Sequence, residues 1–365
     1  MTVPFLDLKA AYRELKPAID AAALRVLDSG RYINGNEVEA FENDFAAYCH
    51  ANHCVGLGNG LDAITLALRC LGIGSGDEVI VPSNTFIATW LAVSIIGAQP
   101  VPVEPDPTTY NIDACAVRRA VTKRTRAIIV VHLYGQPADL DGLRACADEL
   151  GLPLIEDAAQ AHGALYKGRP IGAHGDIVCW SFYPGKNLGA MGDGGAITTD
   201  VRDLADEVRK LSNYGSTVKY RHEIPGVNSR LDPIQAAILQ VKLRYLDEWV
   251  QRRRAIASRY LQELDSQIVT VPAVANGVDP AWHLFVVRSE RRDALQAHLR
   301  HCEVETLVHY PTPPHMQPAY ARLGMSPNRF PIAAGQADQL LSLPIGPHLS
   351  EQQVSQVIDA VNRFK

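Results

Sequence analysis

The sequence predicts an α/β protein in which a mostly parallel sheet, covered by helices on both faces, precedes a smaller α+β domain. Three observations carry this. From about residue 60 the hydrophobic period alternates between helix-like and strand-like segments. The strand-like segments are near-continuous apolar runs, as expected of strands buried on both faces. With 365 residues, 47% of them hydrophobic, the chain has room for two or three domains.

The elements follow in order. Leu61, Ile64, Leu68 and Leu71 recur at helical spacing, and EVIVP at 78–82 is a short β-branched run. Next come the apolar stretch 87–97, strand-like QPVPVEP at 99–105, a polar helix near 113–121 and the strand-like run 126–135. Leu140, Leu143, Ala147 and Leu150 give a helical face before LPLIED at 152–157. Asp232 and Pro233 suit an N-cap and first helical residue, opening a connector that runs into the arginines at 252–254. Beyond it lie a helix, strand-like WHLFVVR, a helix near 291–301, the run EVETLVHYP and a terminal helix. The division expected is 1–248, including the N-terminal segment, and 249–365. There is no repeat or low-complexity tract.

Composition narrows the partners. The chain has 35 basic against 40 acidic side chains, a net charge of −5, and so lacks the basic surplus of a general nucleic-acid or acidic-membrane binder. Anionic ligands must be met by local cations or helix N-termini. Seven cysteines, an odd number spread through apolar segments, argue against a disulfide framework and for a reducing compartment. The first residues lack the pattern of a secretion signal. The apolar stretch Trp90 to Ala98 is far short of the roughly 20 residues that span a bilayer. A cytoplasmic location is expected.

Ligands of parallel sheets sit at the carboxyl ends of the strands, so residues following each strand are the first candidates for chemistry. GLGNGLDAITLAL at 56–68 sets a glycine-rich turn before a helix, where free N–H groups favour phosphate. The same segment also reads as a plain Asn-Gly turn. It fails the dinucleotide fingerprint because Leu61 stands where the third glycine belongs, which points away from nicotinamide cofactors. Asp157 ends a strand and is either an N-cap or a ligand at the sheet's rim. Lys186 lies in a glycine-dense loop after another strand. It is either a solvated charge or, in a dry pocket, an amine able to form a Schiff base.

CHANHC at 49–54 invites a zinc reading. On a helix, however, Cys49 and His53 would share one face and His50 and Cys54 another, and structural zinc sites draw ligands from two places. A helix end with packed thiols is expected, and no metal. His132, His162 and His174 are scattered, and His162 is a candidate partner for Asp157.

Together, VPFLDL, GNGLDA, IEDAAQAHGA, SFYPGKNLGAMGDGG, NSRLDPIQAAIL and HYPTPPHMQPAY run in register over almost the whole chain. They resemble the DegT/DnrJ/EryC1/StrS family of pyridoxal-phosphate nucleotide-sugar aminotransferases. The resemblance implies the aspartate aminotransferase-like fold type I and a homodimer with composite active sites. It implies that Lys186 binds the cofactor covalently and shuttles a proton, while Asp157 keeps the pyridine nitrogen protonated. Gln160 would contact the phenolic oxygen, Phe86 would stack on the ring, and Gly60, Leu61 and Ser181 would hold the phosphate. Asn228 would come from the neighbouring subunit. Some family members are dehydratases with histidine in place of this lysine, so lysine here implies amino transfer, with pyridoxamine phosphate formed in the half-reaction.

For the substrate, Lys219, Tyr220, Arg221 and Arg230 flank a Gly/Ser/Pro-rich loop, with Lys219 and Arg230 the best candidates for a diphosphate. Tyr183, His309 and Tyr310 are further candidates, and His315 shares the proline-stiffened loop with the last two. The likeness of HYPTPPH and EPDPTTYNID to relatives that aminate C3 implies a dTDP-linked 3-keto-6-deoxyhexose acceptor with L-glutamate as donor. The alternatives are a C4 keto-sugar or cyclitol aminotransferase, or a non-catalytic relative that binds cofactor or nucleotide sugar.

Overall fold

A computed structural model describes residues 2–365. Seven strands form the main sheet: β1 (His53–Leu57), β2 (Glu78–Pro82), β3 (Gln99–Val103), β4 (Thr125–Val131), β5 (Leu154–Asp157), β8 (Ile177–Ser181) and β9 (Gly195–Thr199). The short strands β6 (Leu165–Tyr166), β7 (Arg169–Pro170) and β10 (Val278–Asp279) form a small sheet, and β11 (Phe285–Arg288) pairs with β12 (Leu340–Leu343). The main order is β1-β9-β8-β5-β4-β2-β3, with β9 alone antiparallel to its neighbours. From β2 the chain steps outward to β3, and from β4 it steps the other way to β5 and β8. The reversal opens a crevice at the carboxyl ends of these strands.

Alternation on the strands fills both faces. Ile128, Val130, Val178 and Trp180 join one buried core with Phe41, Phe45 and Leu239. Ala127, Ile129, Ile177 and Cys179 join the other, with Leu66, Trp90 and Val208. A third core gathers Phe285, Val287, Leu341 and Leu343 with Ile256, Tyr260, Val357 and also Val3. Val3 pairs with Val304, so the N-terminal segment lies against the C-terminal part of the chain.

Several expectations are corrected. CHANHC starts, as expected, at a helix end with packed thiols, Cys49 being the C-cap of the helix Asn36–Tyr48, but its last two residues, His53 and Cys54, open β1. Cys49 and Cys54 are buried, whereas His50 is exposed. Run 126–135 stops being a strand at Val131, because Tyr134 and Gly135 adopt φ of 61° and 96° and turn the chain into the crevice. The connector from Asp232 is two helices, Pro233–Leu243 and Leu246–Glu263, broken where the Tyr245 amide bonds the Lys242 carbonyl three residues back. Asp232 makes no side-chain cap. EVETLVHYP contributes only single bridges, Val304 to Val3 and Leu307 to Ser342. Helix Leu8–Ser29, capped by the Asp7 carboxylate and containing Pro17, carried no expectation at all.

Candidate active site

A cavity of about 970 Å³ lies at the carboxyl ends of β5 and β8 and is closed on its other side by segments around β11 and β12. Ten of the residues expected at a site line it: Gly60, Leu61, Phe86, Asp157, Gln160, Ser181, Tyr183, Lys186, His309 and Tyr310.

Asp157 is buried where β5 ends. Burial pushes its pKa up. The Thr89 hydroxyl (2.8 Å), the Ala159 amide (3.2 Å) and the Lys186 charge pull it down. Lys186 follows β8 in a turn closed by its own amide on the Tyr183 carbonyl (2.8 Å). Its pKa is pushed down to about 8 by burial, against the opposing charge of Asp157. At neutral pH such an amine gives up its proton far more readily than a surface lysine. Buried Lys242 donates to the Gly189 carbonyl (2.6 Å) and props the loop from behind.

The phosphate cradle has its own geometry. Asn59 caps helix Gly60–Cys70 by accepting from the Asp62 amide, which leaves the Gly60 and Leu61 amides without partners among the described residues. A Cβ at Gly60 would lie 2.6 Å from Ser181 Cβ, so only glycine lets this helix start approach β8. Two free N–H groups, a helix N-terminus and the Ser181 hydroxyl therefore meet at one end of the cavity.

Gln160 is held at both ends. Its Oε1 accepts from the Tyr134 amide (2.5 Å) and its Nε2 donates to the Tyr310 hydroxyl (3.1 Å). Phe86 is half exposed in the cavity, its ring 5.3 Å from that of Tyr310. His309 bonds Ser342 through Nδ1 (2.8 Å), and burial followed by the Lys186 charge lowers its pKa to about 4. Its carbonyl accepts from the Tyr134 hydroxyl (2.6 Å).

Four expected residues lie outside this cavity. Asn228, Lys219 and Tyr220 are exposed, and Tyr220 is 85% accessible. Arg230 stacks over Tyr214 (5.5 Å), bonds Asn213 (3.0 Å) and lines a different depression beside Arg209. Within the chain the loop 213–230 is folded against helix Arg202–Ser212, the Val227 and Ser229 amides donating to the Leu211 and Ser212 carbonyls, and the Ser229 hydroxyl accepts from the Gly58 amide (3.1 Å). Arg221 is likewise exposed, and His315 is buried against Phe330. His162 is not a partner of Asp157: a tight turn after β5 sends it among Phe45, Trp180 and Phe182, where burial lowers its pKa to about 3. His132 instead bonds buried Glu156 (2.8 Å). Among the described residues, no three His, Cys, Asp or Glu side chains are grouped to hold a metal ion, and no helix is long and apolar enough to cross a membrane.

Thr89, Arg253 and His283 are not singled out by the sequence, and Tyr134 only as part of the segment 132–136 that follows a strand, yet Thr89 and Tyr134 hold site residues and Arg253 and His283 line the cavity. Arg253 had been visible only as one of three consecutive arginines.

Residues 13–362 match the DegT/DnrJ/EryC1/StrS aminotransferase family. The chain belongs to that family. It is 57% identical to the "Erythromycin biosynthesis sensory transduction protein EryC1" of Saccharopolyspora erythraea, covering 98% of each chain. It is 56% identical to the dTDP-3-amino-3,4,6-trideoxy-alpha-D-glucose transaminase of Streptomyces venezuelae (99% of this chain, 96% of the relative). It is 51% identical to the dTDP-3-amino-3,6-dideoxy-alpha-D-galactopyranose transaminase of Aneurinibacillus thermoaerophilus, covering 99% of each. The crystal structure of S. venezuelae DesV in complex with a ketimine intermediate superposes with a TM-score of 0.97 at 56% identity, covering 99% of this chain and 98% of that one. The mixed sheet with its flanking helices is thus the fold type I of pyridoxal-phosphate aminotransferases.

The residues fit that cofactor. The Gly60 and Leu61 amides suit a phosphate, buried Asp157 suits a protonated ring nitrogen, and a desolvated Lys186 amine with no hydrogen-bond partner among the described residues suits covalent attachment.

Proposed function

We propose that the chain is an aminotransferase that moves an amino group from L-glutamate to C3 of a dTDP-linked 3-keto-6-deoxyhexose, yielding the 3-amino-3,6-dideoxyhexose. The observation that carries this is the convergence of Lys186, Asp157 and the Gly60–Ser181 cradle in one cavity. The names of the dTDP-3-amino-sugar transaminases support the sugar and its C3 position. Bound pyridoxal phosphate supplies an electron sink for the carbon that loses its proton.

The protein's residues do the rest. Lys186 Nζ would hold the cofactor and, as a free amine, would accept the proton from the reacting substrate carbon. The Asp157 carboxylate, oriented by the Thr89 hydroxyl, would keep the cofactor's ring nitrogen protonated. Gly60, Leu61 and Ser181 would bind the phosphate, Gln160 would hold the phenolic oxygen, and Phe86 would cover the ring. Tyr183, His309 and Tyr310 line the substrate's side. Lys219, Tyr220, Arg230 and Asn228 reach a cavity only across a homodimer boundary. The exposed apolar residues Leu24, Leu27, Tyr32, Ile33 and Val218 support such a boundary. The same reading places the enzyme in the cytoplasm. It divides the chain into a cofactor domain, 1–248, and a smaller domain, 249–365, with helix Leu246–Glu263 crossing between their cores.

A second reading, a non-catalytic sensor, draws on the name of the S. erythraea relative. The intact set of Lys186, Asp157 and Gln160 favours the enzyme. The deciding experiment incubates the purified protein with glutamate and, separately, dTDP-3-keto and dTDP-4-keto 6-deoxyhexoses. Proton spectra should place the new amine at C3. An amine at C4, or none with either sugar, would overturn the assignment.

A further inference from the structure

His132 and Glu156 form a buried pair that the proposed chemistry leaves unused. Both side chains are fully buried, and neither lines the cavity. His132 Nδ1 accepts from the Ala138 amide (3.1 Å), so the ring carries its proton on Nε2, which donates to Glu156 Oε2 (2.8 Å). The other carboxylate oxygen accepts from the Gly175 amide. Among the described residues no lysine or arginine pairs with Glu156. A carboxylate kept in a dry interior without a cation costs stability that an apolar pair of the same shape would not.

What the pair holds is the turn that leads from β4 into the cavity. The His132 amide donates to the Asp157 carbonyl (3.1 Å), and the chain then passes through left-handed backbone at Tyr134 and Gly135, with φ of 61° and 96°. A tyrosine keeps that conformation only where its surroundings over-determine it. Asn111 holds the outer edge of the turn, accepting from the Leu133 amide (3.1 Å) and donating to the Gln136 carbonyl (2.9 Å). His132 spans the turn to Ala138, its ring fixed from behind by Glu156. So held, the turn aims the Tyr134 amide at Gln160 Oε1 (2.5 Å). A side-chain amide whose oxygen is occupied in this way presents its nitrogen, a donor, to Tyr310 and the cavity. Without the Tyr134 N–H, Gln160 is free to turn over and offer an acceptor instead. Resting on the reading of Gln160 as the partner of the cofactor's phenolic oxygen, we propose that His132, locked by Glu156, is a positioning residue: it sets the Tyr134 amide that fixes Gln160 as a hydrogen-bond donor toward the cofactor.

The test reads the colour of the bound cofactor. A donor on the phenolic oxygen stabilises its negative charge and eases loss of the proton shared with the Lys186 nitrogen, so removing the donor moves the pH midpoint of the colour change upward. Parent, Gln160→Ala, His132→Leu and the double variant, each loaded with pyridoxal phosphate, are titrated in the visible range, with melting temperatures measured in parallel. Gln160→Ala and His132→Leu should each raise the midpoint by about one pH unit, and the double variant should go no further than Gln160→Ala alone. A folded His132→Leu with the parental midpoint, or a double variant whose shift is the sum of the two, would overturn the proposal. If His132→Leu does not fold, His132→Asn, which keeps an acceptor for the Ala138 amide, decides by the same two criteria with a smaller rise expected. If neither folds, His132 serves the fold alone and the proposal fails. The readout needs bound cofactor but no sugar. A parent that aminates neither keto sugar yet shows this pattern upholds the proposal and overturns only the assignment of the substrate.

Discussion

The two walls of the cavity are held in different ways. On the sheet side, Asp157, Ser181 and Lys186 sit at or just after the ends of parallel-running strands, and each is placed by the register of a ladder whose core is fully buried. On the opposite side, His283, His309 and Tyr310 sit in irregular backbone and Arg253 on the helix Leu246–Glu263, tied by single bonds to carbonyls and by the contacts of Tyr134 and Gln160. The Asn187 amide beside Lys186 reaches across to the Ala281 carbonyl (2.8 Å), and the Gly135 carbonyl accepts from Ala281 (2.9 Å). A Cβ at Gly135 would lie 2.8 Å from the His283 amide, so this seam closes only around glycine. A ladder distributes the loss of one bond over many others, whereas a seam of single bonds does not. Variants on the sheet side should therefore remove chemistry and leave the fold intact. Variants on the other side should loosen substrate positioning first.

The largest break comes from Lys186→Ala, expected to lower turnover by about 10²–10⁴-fold or more, measured by single-turnover decay of the loaded enzyme. Lys186→Met removes a buried cation as well. Below about pH 8 the folded lysine is protonated in a dry site. Between about 8 and 10.5 the unfolded chain holds one more proton than the folded one, so stability rises with pH and the cost of burial fades. In cofactor-free protein, Lys186→Met should melt higher than the parent at pH 7, and the gap should close towards pH 10.5. A gap that widens with pH would refute the desolvation argument.

Asp157→Asn comes next, with a loss of roughly 10²–10³-fold. Because the Asp157 charge raises the Lys186 pKa, the alkaline rise in the rate at which cofactor-free protein takes up pyridoxal phosphate, centred near pH 8 in the parent, should move to lower pH in this variant. A limb that stays put would separate the two residues. Gly60→Ala should cost about 1–3 kcal/mol from the collision with Ser181 and weaken cofactor retention, read by dialysis and visible absorbance. The smallest effect is expected on the other wall. Tyr134→Phe removes one bond to the His309 carbonyl, costs about 1 kcal/mol, and should raise KM for the keto sugar with cofactor retention unchanged.

The same contrast explains what could be read in the sequence. Lys186, Asp157 and Ser181 follow or end apolar runs, so strand-end logic reaches them directly, and the helix-start turn at Gly60 is a local pattern. Thr89 and Arg253 act through contacts distant in the chain, which no period or spacing encodes. The first strand is hard to read because HCVGL is short, lacks alternation and begins inside a Cys/His cluster that reads more naturally as a helix end. The strand expected at EVETLVHYP fails for the opposite reason: its β-branched pattern is real, but Glu303 at φ 59° turns the chain and only single bridges find partners. His162 was placed beside Asp157 because sequence distance says nothing about a tight turn that reverses the chain after β5.

The central claim is that Lys186 holds the cofactor in this cavity. Borohydride reduction of the purified protein followed by peptide mass analysis tests it most directly. The account predicts a yellow protein that bleaches on reduction, with the pyridoxyl phosphate mass on the peptide containing Lys186. A colourless protein whose Lys186 peptide stays unmodified would contradict it.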